Sequence, residues 1–589
     1  MILQSLASYY RRIAETTNSE IAPEGFEKKE IPFLIIIDRR GKFIGVQDTR
    51  EAEGKKKRGR IFIVPKGVKK TSGIAANLLW DTPGYIFGMP KKDPTKDKES
   101  LLKRAKEQQL CFIKKMQETF PEPDKDEGIN AVFTFMGQSD HQPLFSDPLW
   151  REIEENGSNI TFKLDSDPVL VCQRPSLISV IAGNGIEDGK SSELQTCLVS
   201  GDKDVPVRLH TAIKGVRGAK TSGANIVSFN LDAFRSFGKE QGLNAPVGKK
   251  AEFAYTTALN HLLARDSRQK IQVGDATTVF WAEHKNILED VFAGLFGESS
   301  KENPEQINIA IRALYESPKT GAPPLAEDYT RFYVLGLAPN AARIAVRFWY
   351  AGTVGEVAGH IRQHFEDCSI IHGLNQPEHL SIFRMLVSTA AQGKSENIQP
   401  NLAGEFMKAI LDGTPYPQTL LASTIRRCRA EQEVTYPRAA LIKAVLIRIH
   451  SQNEKEINMA LDTGNTNIGY RLGRLFAVLE KTQEEASNPG SNVRDRFYGS
   501  ASSTPVSVFS HLLKLNKYHL SKLEKKDEKS RGRVVNLERL IGEILSGIAD
   551  FPPHLSLQDQ GRFAVGYYHQ RQDFFTKKNN NKEGNNVSN

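Results

Sequence analysis

His360 and His364 stand four residues apart, and Cys368 and His372 continue the same helical face. Imidazoles at i and i+4 converge on one side of a helix and can grip a metal ion. The zincin pattern requires Glu directly after the first His, and that position here is Ile361. A polar helix face that happens to hold histidines is the stronger reading. Asp275, Glu283 and Lys285 offer a second chemistry. An acid together with a Glu-x-Lys group on a strand can hold Mg2+ for phosphodiester cleavage. Asp275 is not preceded by Pro, and matches this short are common, so an amphipathic strand end is again the stronger reading. The expectation is a chain with no catalytic residues, no metal and no cofactor.

Phosphate contact has better support. Lys214-Gly215-Val216-Arg217-Gly218-Ala219-Lys220-Thr221-Ser222-Gly223 superficially resembles a P-loop. Ala219 stands where Gly must precede the Lys, and a strand is predicted next where a helix is needed, which excludes nucleoside triphosphate binding. The loop is then either plain solvated chain or a surface that lays backbone N–H groups, Lys214, Arg217, Lys220 and Ser222 along nucleic-acid phosphates. Lys55-Lys56-Lys57-Arg58-Gly59-Arg60 is a basic loop between predicted strands, and Lys66, Lys69 and Lys70 continue it. Polar Ser72 and Asn77 follow. Cations flanking such groups can hold a backbone and reach base edges, although a charge run is usually just solvated. Lys514, Lys517, Lys522, Lys525, Lys526, Lys529, Arg531 and Arg533 form a third group, partly offset by Glu524, Asp527 and Glu528. They suit either a rail for a single-stranded backbone or a solvated loop between helices.

These groups need a scaffold. At 589 residues, 39% hydrophobic, the chain can build several cores, which excludes global disorder. No run approaches the ~18 apolar residues of a membrane span, and Met1–Leu6 lacks the charged and apolar regions of a secretory leader. Five scattered cysteines without a CxxC pair read as free thiols in a reducing, cytoplasmic setting. The formal charge is +9, and residues 459–589 hold 19 Lys+Arg against 14 Asp+Glu, more than half of that excess. A clustered positive charge favours a polyanionic partner.

Leu3, Leu6, Tyr10 and Ile13 predict a helix over 2–13. Phe33–Ile37, Phe43–Val46 and Arg60–Val64 predict a β-meander with a turn at Asp38–Gly41. Residues 91–107 read as a helix after a loop, and 119–130 as a loop. In the middle third, Asn225–Phe229 and Thr277–Trp281 read as strands flanking a helix over Lys250–Leu263, with loops at 298–306 and 318–327. Arg331–Leu337, a Pro339-Asn340 turn, Arg343–Tyr350 and a helix from Val354 form a β-β-α unit compatible with a ferredoxin-like fold. From about residue 400 only helices are expected, two of them separated by Pro415-Tyr416-Pro417.

After a break at 451–466, four helices show 3-4 spacing. Ile468, Leu472, Leu475 and Leu479 mark the first, and Thr504-Pro505 opens a second that carries Phe509, Leu512, Leu520 and Leu523. Val534, Leu537, Ile541, Ile544 and Ile548 mark the third, and Ser556–Phe575 the last. They suggest a bundle able to fold alone. The tail from Lys577 to Asn589 is low-complexity and expected to be disordered. The fold class is α+β: mixed α/β N-terminal and middle regions followed by an all-α C-terminal helical bundle. The expected divisions are 1–130, 131–397, a helical connector 398–458, 459–576 and the tail 577–589.

Several stretches, in order along essentially the whole chain, resemble one family. They are Met1-Ile2-Leu3-Gln4, Ile21–Phe26, Glu53–Arg58, Ser72–Asn77 with Leu79-Trp80-Asp81, Ile213–Gly218, Ile226–Asn230, Tyr255–Asn260 and Phe332–Leu337. The family is the large subunit of the type I-C CRISPR effector complex, Cascade. The resemblance implies a non-enzymatic role in antiviral defence. Such subunits sit beside the handle-binding subunit of a guide-RNA-bound assembly with backbone and small subunits. They recognise the protospacer-adjacent motif (PAM) on duplex DNA, mostly through the minor groove, and help open the duplex. They hold the displaced strand of the R-loop and dock the helicase-nuclease, while base pairing reads the rest of the target. In this family the C-terminal helical domain resembles the small subunit, which is made from an internal start. Met459, the last methionine, falls in the break before the four helices and is the candidate start; an ordinary loop Met is the alternative.

Motif recognition is assigned to Lys55, Lys56, Lys57, Arg58, Arg60, Lys66, Lys69, Lys70, Ser72 and Asn77, with Lys28 and Lys29 as helpers. The resemblance supports that region, and charge and reach select the individual residues. Lys214, Arg217, Lys220 and Ser222 are assigned to RNA-handle or target-strand phosphate, and the C-terminal cations to the displaced strand. The rivals are a metal-dependent nuclease using Asp275, Glu283 and Lys285, and a structural subunit without DNA contact.

Overall fold

The computed structural model describes residues 1–16, 21–53, 56–68, 70, 73–91, 97–184, 194–297, 306–315, 328–341, 343–399, 401–449, 457–487 and 492–576. The tail and most of the expected loops at 298–306 and 318–327 lie outside them. The chain divides into two compact units. The first holds Met1, Leu3–Thr211 and Val227–His261; the second holds Ile2, Ala212–Ile226 and Leu262–Asn589. The class is α+β, with strands confined to the part before Val354 and helices alone thereafter.

In the first unit the apolar run Phe33-Leu34-Ile35-Ile36-Ile37 forms a strand buried along most of its length. Taking β1 as Phe26–Glu30, β2 is this strand, β3 is Phe43–Asp48, β4 Glu51–Glu53, β5 Lys56–Arg58, β6 Ile61–Pro65, β7 Trp80–Asp81 and β8 Ile160–Leu164. Two-residue strands at Gln195 and Lys203, β9 and β10, complete the unit. The main sheet has the order β3-β2-β8-β7. β2 runs antiparallel to β3 and parallel to β8, with Phe33 opposite Ile160 and Ile37 opposite Leu164. A strand flanked on both sides and covered on both faces reads as a continuous apolar run, which explains the composition of β2.

The expected meander is therefore incomplete. The third strand pairs with β1, not with β3, and Lys29 of β1 stands opposite Phe62. The basic run is not simply a loop: Lys56–Arg58 pairs with Glu51–Glu53 in a small ribbon. The stretch expected to be loop contains a helix from Glu127 to Met136, opened by the Asp126 carboxylate, which accepts the Gly128 and Ile129 N–H groups at 2.8 and 3.0 Å. That helix spans the division expected after residue 130. The helix Lys98–Thr119 packs its Phe112 and Met116 into the same core as Trp80, Phe135 and Phe162.

In the second unit, β11 Lys270–Val273, β12 Ala276–Ala282, β13 Arg331–Asn340 and β14 Arg343–Thr353 form an antiparallel sheet in simple chain order. The order is a meander, not the crossed order of a ferredoxin-like unit. β13 runs through Pro339-Asn340, so the turn comes later than expected. Asn225–Phe229 is not a strand: Ala224 and Asn225 make only isolated bridges to Ile213 and Arg343. The helix Val354–Cys368 is opened by Thr353 in a capping box with Glu356.

The C-terminal helices are Ile468–Ala486, Val493–Ala501, Phe509–Glu524, Glu528–Leu545 and Leu557–Thr576. Ile468–Ala486 and Leu557–Thr576 approach closely at glycines. A Cβ on Gly473 would lie 2.0 Å from the Phe563 carbonyl, and one on Gly566 2.2 Å from that of Tyr470. The set does not make a separate core. Gly561 faces Ile442, Leu446 and Leu421 of the preceding helices, and Tyr568 Oη donates to the Ile371 carbonyl at 2.9 Å. Thr504-Pro505 opens a short 3-10 turn, and the helix proper begins at Phe509. Among the described residues no helix is long and apolar enough to cross a membrane.

Candidate nucleic-acid interface

The described residues between Pro65 and Thr82 of the first unit are irregular yet held by many bonds. Trp80 Nε1 donates to the Pro65 carbonyl at 2.8 Å. The Asp81 carboxylate, 1% exposed, accepts the N–H groups of Asn77 at 2.9 Å and Thr82 at 2.8 Å. Lys70 Nζ lies 2.7 Å from both of its oxygens and 3.5 Å from the centre of the Tyr85 ring. Lys115 Nζ donates to the Ala76 carbonyl at 2.9 Å, and burial lowers its pKa. Leu79 is buried with φ of +62, and Thr161 Oγ1 of β8 donates to its carbonyl at 2.8 Å. Strain of this kind persists only where surrounding bonds over-determine the backbone.

These bonds shape a cleft of about 350 Å3, lined among others by Lys29, Lys70, Asn77, Trp80, Asp81 and Asn159. Lys29 Nζ sits 5.1 Å from the Trp80 ring centre. Lys28 is exposed beside it on β1, and Lys66 lies 3.7 Å from Glu252. Lys57, Arg58 and Arg60 are exposed on the neighbouring ribbon and its exit. The cleft thus sets Lys29 and Lys70, with Glu27 and Asp81 beside them, against an aromatic wall, while Lys28 and Lys66 are not among its lining residues. Lys55, Lys69 and Ser72 lie outside the described residues, and of Lys56 only the backbone is described.

Asn77 departs from its assigned role. It is 4% exposed, and its Oδ1 accepts the Val68 N–H at 3.0 Å. Its oxygen shapes the loop instead of offering a base-reading acceptor. Asn159, immediately before β8, lines the same cleft with a half-buried side chain. Nothing in local sequence marks it, because the antiparallel pairing of β7 with β8, Asp81 opposite Ile160, brings position 159 to this place.

In the second unit, the Gly-rich loop is closed by a pair of backbone bonds between Ile213 and Ala224, 2.8 and 2.9 Å. Gly215, with φ of +87, packs so closely that a Cβ would lie 2.5 Å from the Leu263 carbonyl. The Arg217 N–H donates to Thr277 Oγ1 at 3.0 Å, and Val216 is buried. Lys214, Arg217, Lys220 and Ser222 are exposed on this anchored frame.

The C-terminal cations lie on two helices joined by a short turn. Lys514, Lys517, Lys522, Lys525 and Arg531 are exposed. Lys526 Nζ donates to the Glu485 carbonyl at 3.1 Å, and Arg533 grips the Glu485 carboxylate with two bonds of 2.8 and 2.9 Å. Those two cations tie helices together. Tyr518, 68% exposed, shares the Lys514–Lys522 face at i+4 spacing. The sequence does not single it out, because a tyrosine at that spacing also fits a core face.

The rival sites do not assemble. Asp275 and Glu283 stand at opposite ends of β12, about 25 Å of extended strand apart, and Asp275 pairs with Arg347 at 2.8 Å. His364 is fully buried, its Nδ1 2.8 Å from Tyr416 Oη, while His360 Nδ1 meets the Leu411 carbonyl at 2.7 Å and His372 is half-buried against the Tyr436 ring. Burial pushes His364 down to about 3 and Cys368 up to about 12. Among the described residues no group of three or more His, Cys, Asp or Glu is placed to hold a metal ion. All five cysteines are free, and four are buried.

The structure offers an aromatic-walled cleft with Lys29 and Lys70 beside Glu27 and Asp81, and further exposed cations on an anchored loop and on helices; family comparison sets the class as a CRISPR-associated protein. The chain belongs to the family described as CRISPR-associated protein (Cas_Csd1), whose model matches residues 6–575. No curated protein matches it.

Proposed function

We propose that this chain is the non-catalytic large subunit of a type I-C guide-RNA-bound DNA surveillance complex. Its first unit reads the protospacer-adjacent motif at the Lys29–Trp80 cleft and aids duplex opening. The Gly-rich loop contacts handle or target-strand phosphate, and the C-terminal cations hold the displaced strand. The helicase-nuclease and the handle-binding, backbone and small subunits are its protein partners. The observation that carries the reading is the meeting of Lys29 and Trp80 in a cleft that Asn159 also lines, with Lys28, Lys57, Arg58 and Arg60 exposed on the neighbouring strand and ribbon. Cations that hold phosphates, beside polar groups near base level, suffice for the degenerate minor-groove code. Family membership supports the placement in a CRISPR system.

The test uses the complex assembled on its guide RNA. Its affinity for a matched duplex is compared with and without the motif, over a range of salt. Reversing Lys28, Lys57, Arg58 and Arg60 to Glu should weaken binding and flatten the salt slope by about one for each phosphate no longer neutralised. Unchanged binding would favour a structural subunit.

A further inference from the structure

Phe237, in the first unit, is 97% exposed. Its φ is +51, and that of the following Gly238 is +67. Ser236 and Lys239 pair across them, the Lys239 N–H donating to the Ser236 carbonyl at 2.9 Å. Two successive positive φ angles make the tight hairpin turn whose first corner ordinarily takes Asn, Asp or Gly. A bulky aromatic there is strained.

The turn is braced. Asn244 Oδ1 accepts the Ser236 N–H at 3.0 Å, and its Nδ2 donates to the carbonyls of Gln241 at 2.9 Å and Lys239 at 3.2 Å. Arg235 lies between Asp232 and Glu240, at 3.2 and 3.6 Å. Gly242 anchors the base, where a Cβ would meet the Val207 carbonyl at 2.2 Å. The fold therefore holds a strained aromatic ring in solvent on a fixed tip. The turn residues beside it, Ser236, Gly238 and Lys239, are exposed, and none is apolar. An aromatic that anchors a protein partner becomes desolvated in the complex, ringed by neighbouring contacts that exclude water. One that stacks on a base needs only its ring face and nearby cations.

We propose that Phe237 stacks on a nucleobase of the nucleic acid this chain contacts, an inference that rests on the nucleic-acid reading above. The test uses the full chain and two fluorescently labelled strands of about 20 nucleotides, one oligothymidylate and one wholly abasic. Phe237→Ala and Phe237→Asn should weaken oligothymidylate binding roughly 5- to 100-fold and leave the abasic strand unaffected. Phe237→Trp should retain wild-type affinity. Asn suits the turn better than Phe, so an undiminished melting temperature for Phe237→Asn separates lost stacking from lost fold. Equal effects on both strands, or none, would overturn the stacking role alone. Wild-type protein that binds neither strand would overturn it together with the nucleic-acid reading. Loss of assembly with the other subunits at unchanged strand affinity would make Phe237 a protein anchor instead.

Discussion

Lys70 Nζ and the Asp81 carboxylate meet in a symmetric contact, 2.7 Å to each oxygen, with Asp81 almost wholly out of solvent. The same carboxylate caps the N–H groups of Asn77 and Thr82, so one side chain sets the path of the cleft wall. Removing one partner of a buried pair leaves the other charge or its donors uncompensated. Asp81→Ala should destabilise the first unit by about 2–4 kcal/mol, seen as a lower urea midpoint. Lys70→Met should cost stability as well as affinity, which an exposed phosphate-binding lysine would not.

Asn77 and Asn159 separate structure from readout. Asn77→Ala strands the Val68 N–H and should cost about 1–2 kcal/mol in urea unfolding. Its effect on motif preference should be no larger than its effect on a scrambled motif. Asn159→Ala should leave the urea midpoint unchanged and narrow the affinity gap between motif and scrambled duplexes. A wide gap in that variant would remove Asn159 from the reading surface.

Two buried histidines make the second unit sensitive to acid. His364 is held down to about 3 by burial, then by Arg448, and His569 to about 3 by burial, then by Lys443. In the unfolded chain both titrate near 6.5. Below that pH the unfolded state takes up protons that the folded state refuses, so stability falls as pH drops toward 3 and is fully present above 6.5. Each contributes about 1.4 kcal/mol per pH unit in that window. The urea midpoint should fall from pH 7.5 to pH 5, and His364→Gln should shallow that fall.

The fragment from Met459 onward tests autonomy. Met459 itself is half of a junction: its carbonyl accepts the Ile371 N–H at 2.8 Å and its sulfur the Ser369 hydroxyl at 3.2 Å. The last helix also packs on Ile442 and Leu446 through Gly561. Made alone, the fragment should bind a hydrophobic dye and self-associate in analytical ultracentrifugation. A monomer with a sharp melt would show that packing among its own helices is sufficient.

Local pattern in the chain determined a good deal. The helices at 2–13, 250–263 and beyond 400, the strands Phe33–Ile37 and Thr277–Trp281, and the β-β-α stretch from Arg331 follow from periodicity and capping. Those forces act within a few residues. The three groups of cations were legible too, as charge is written directly in composition. Tertiary structure alone decided which of these cations work together. β8 is distant in sequence from β7, and their antiparallel pairing places Asn159 at the cleft. The Asp81 carboxylate turned Lys70 and the Asn77 backbone inward, and Glu485 drew Lys526 and Arg533 into packing. Nothing in a charge count reveals whether a lysine faces water or a buried acid. That choice depends on which carboxylates and backbone groups folding removes from solvent, since each must find a partner once water is gone.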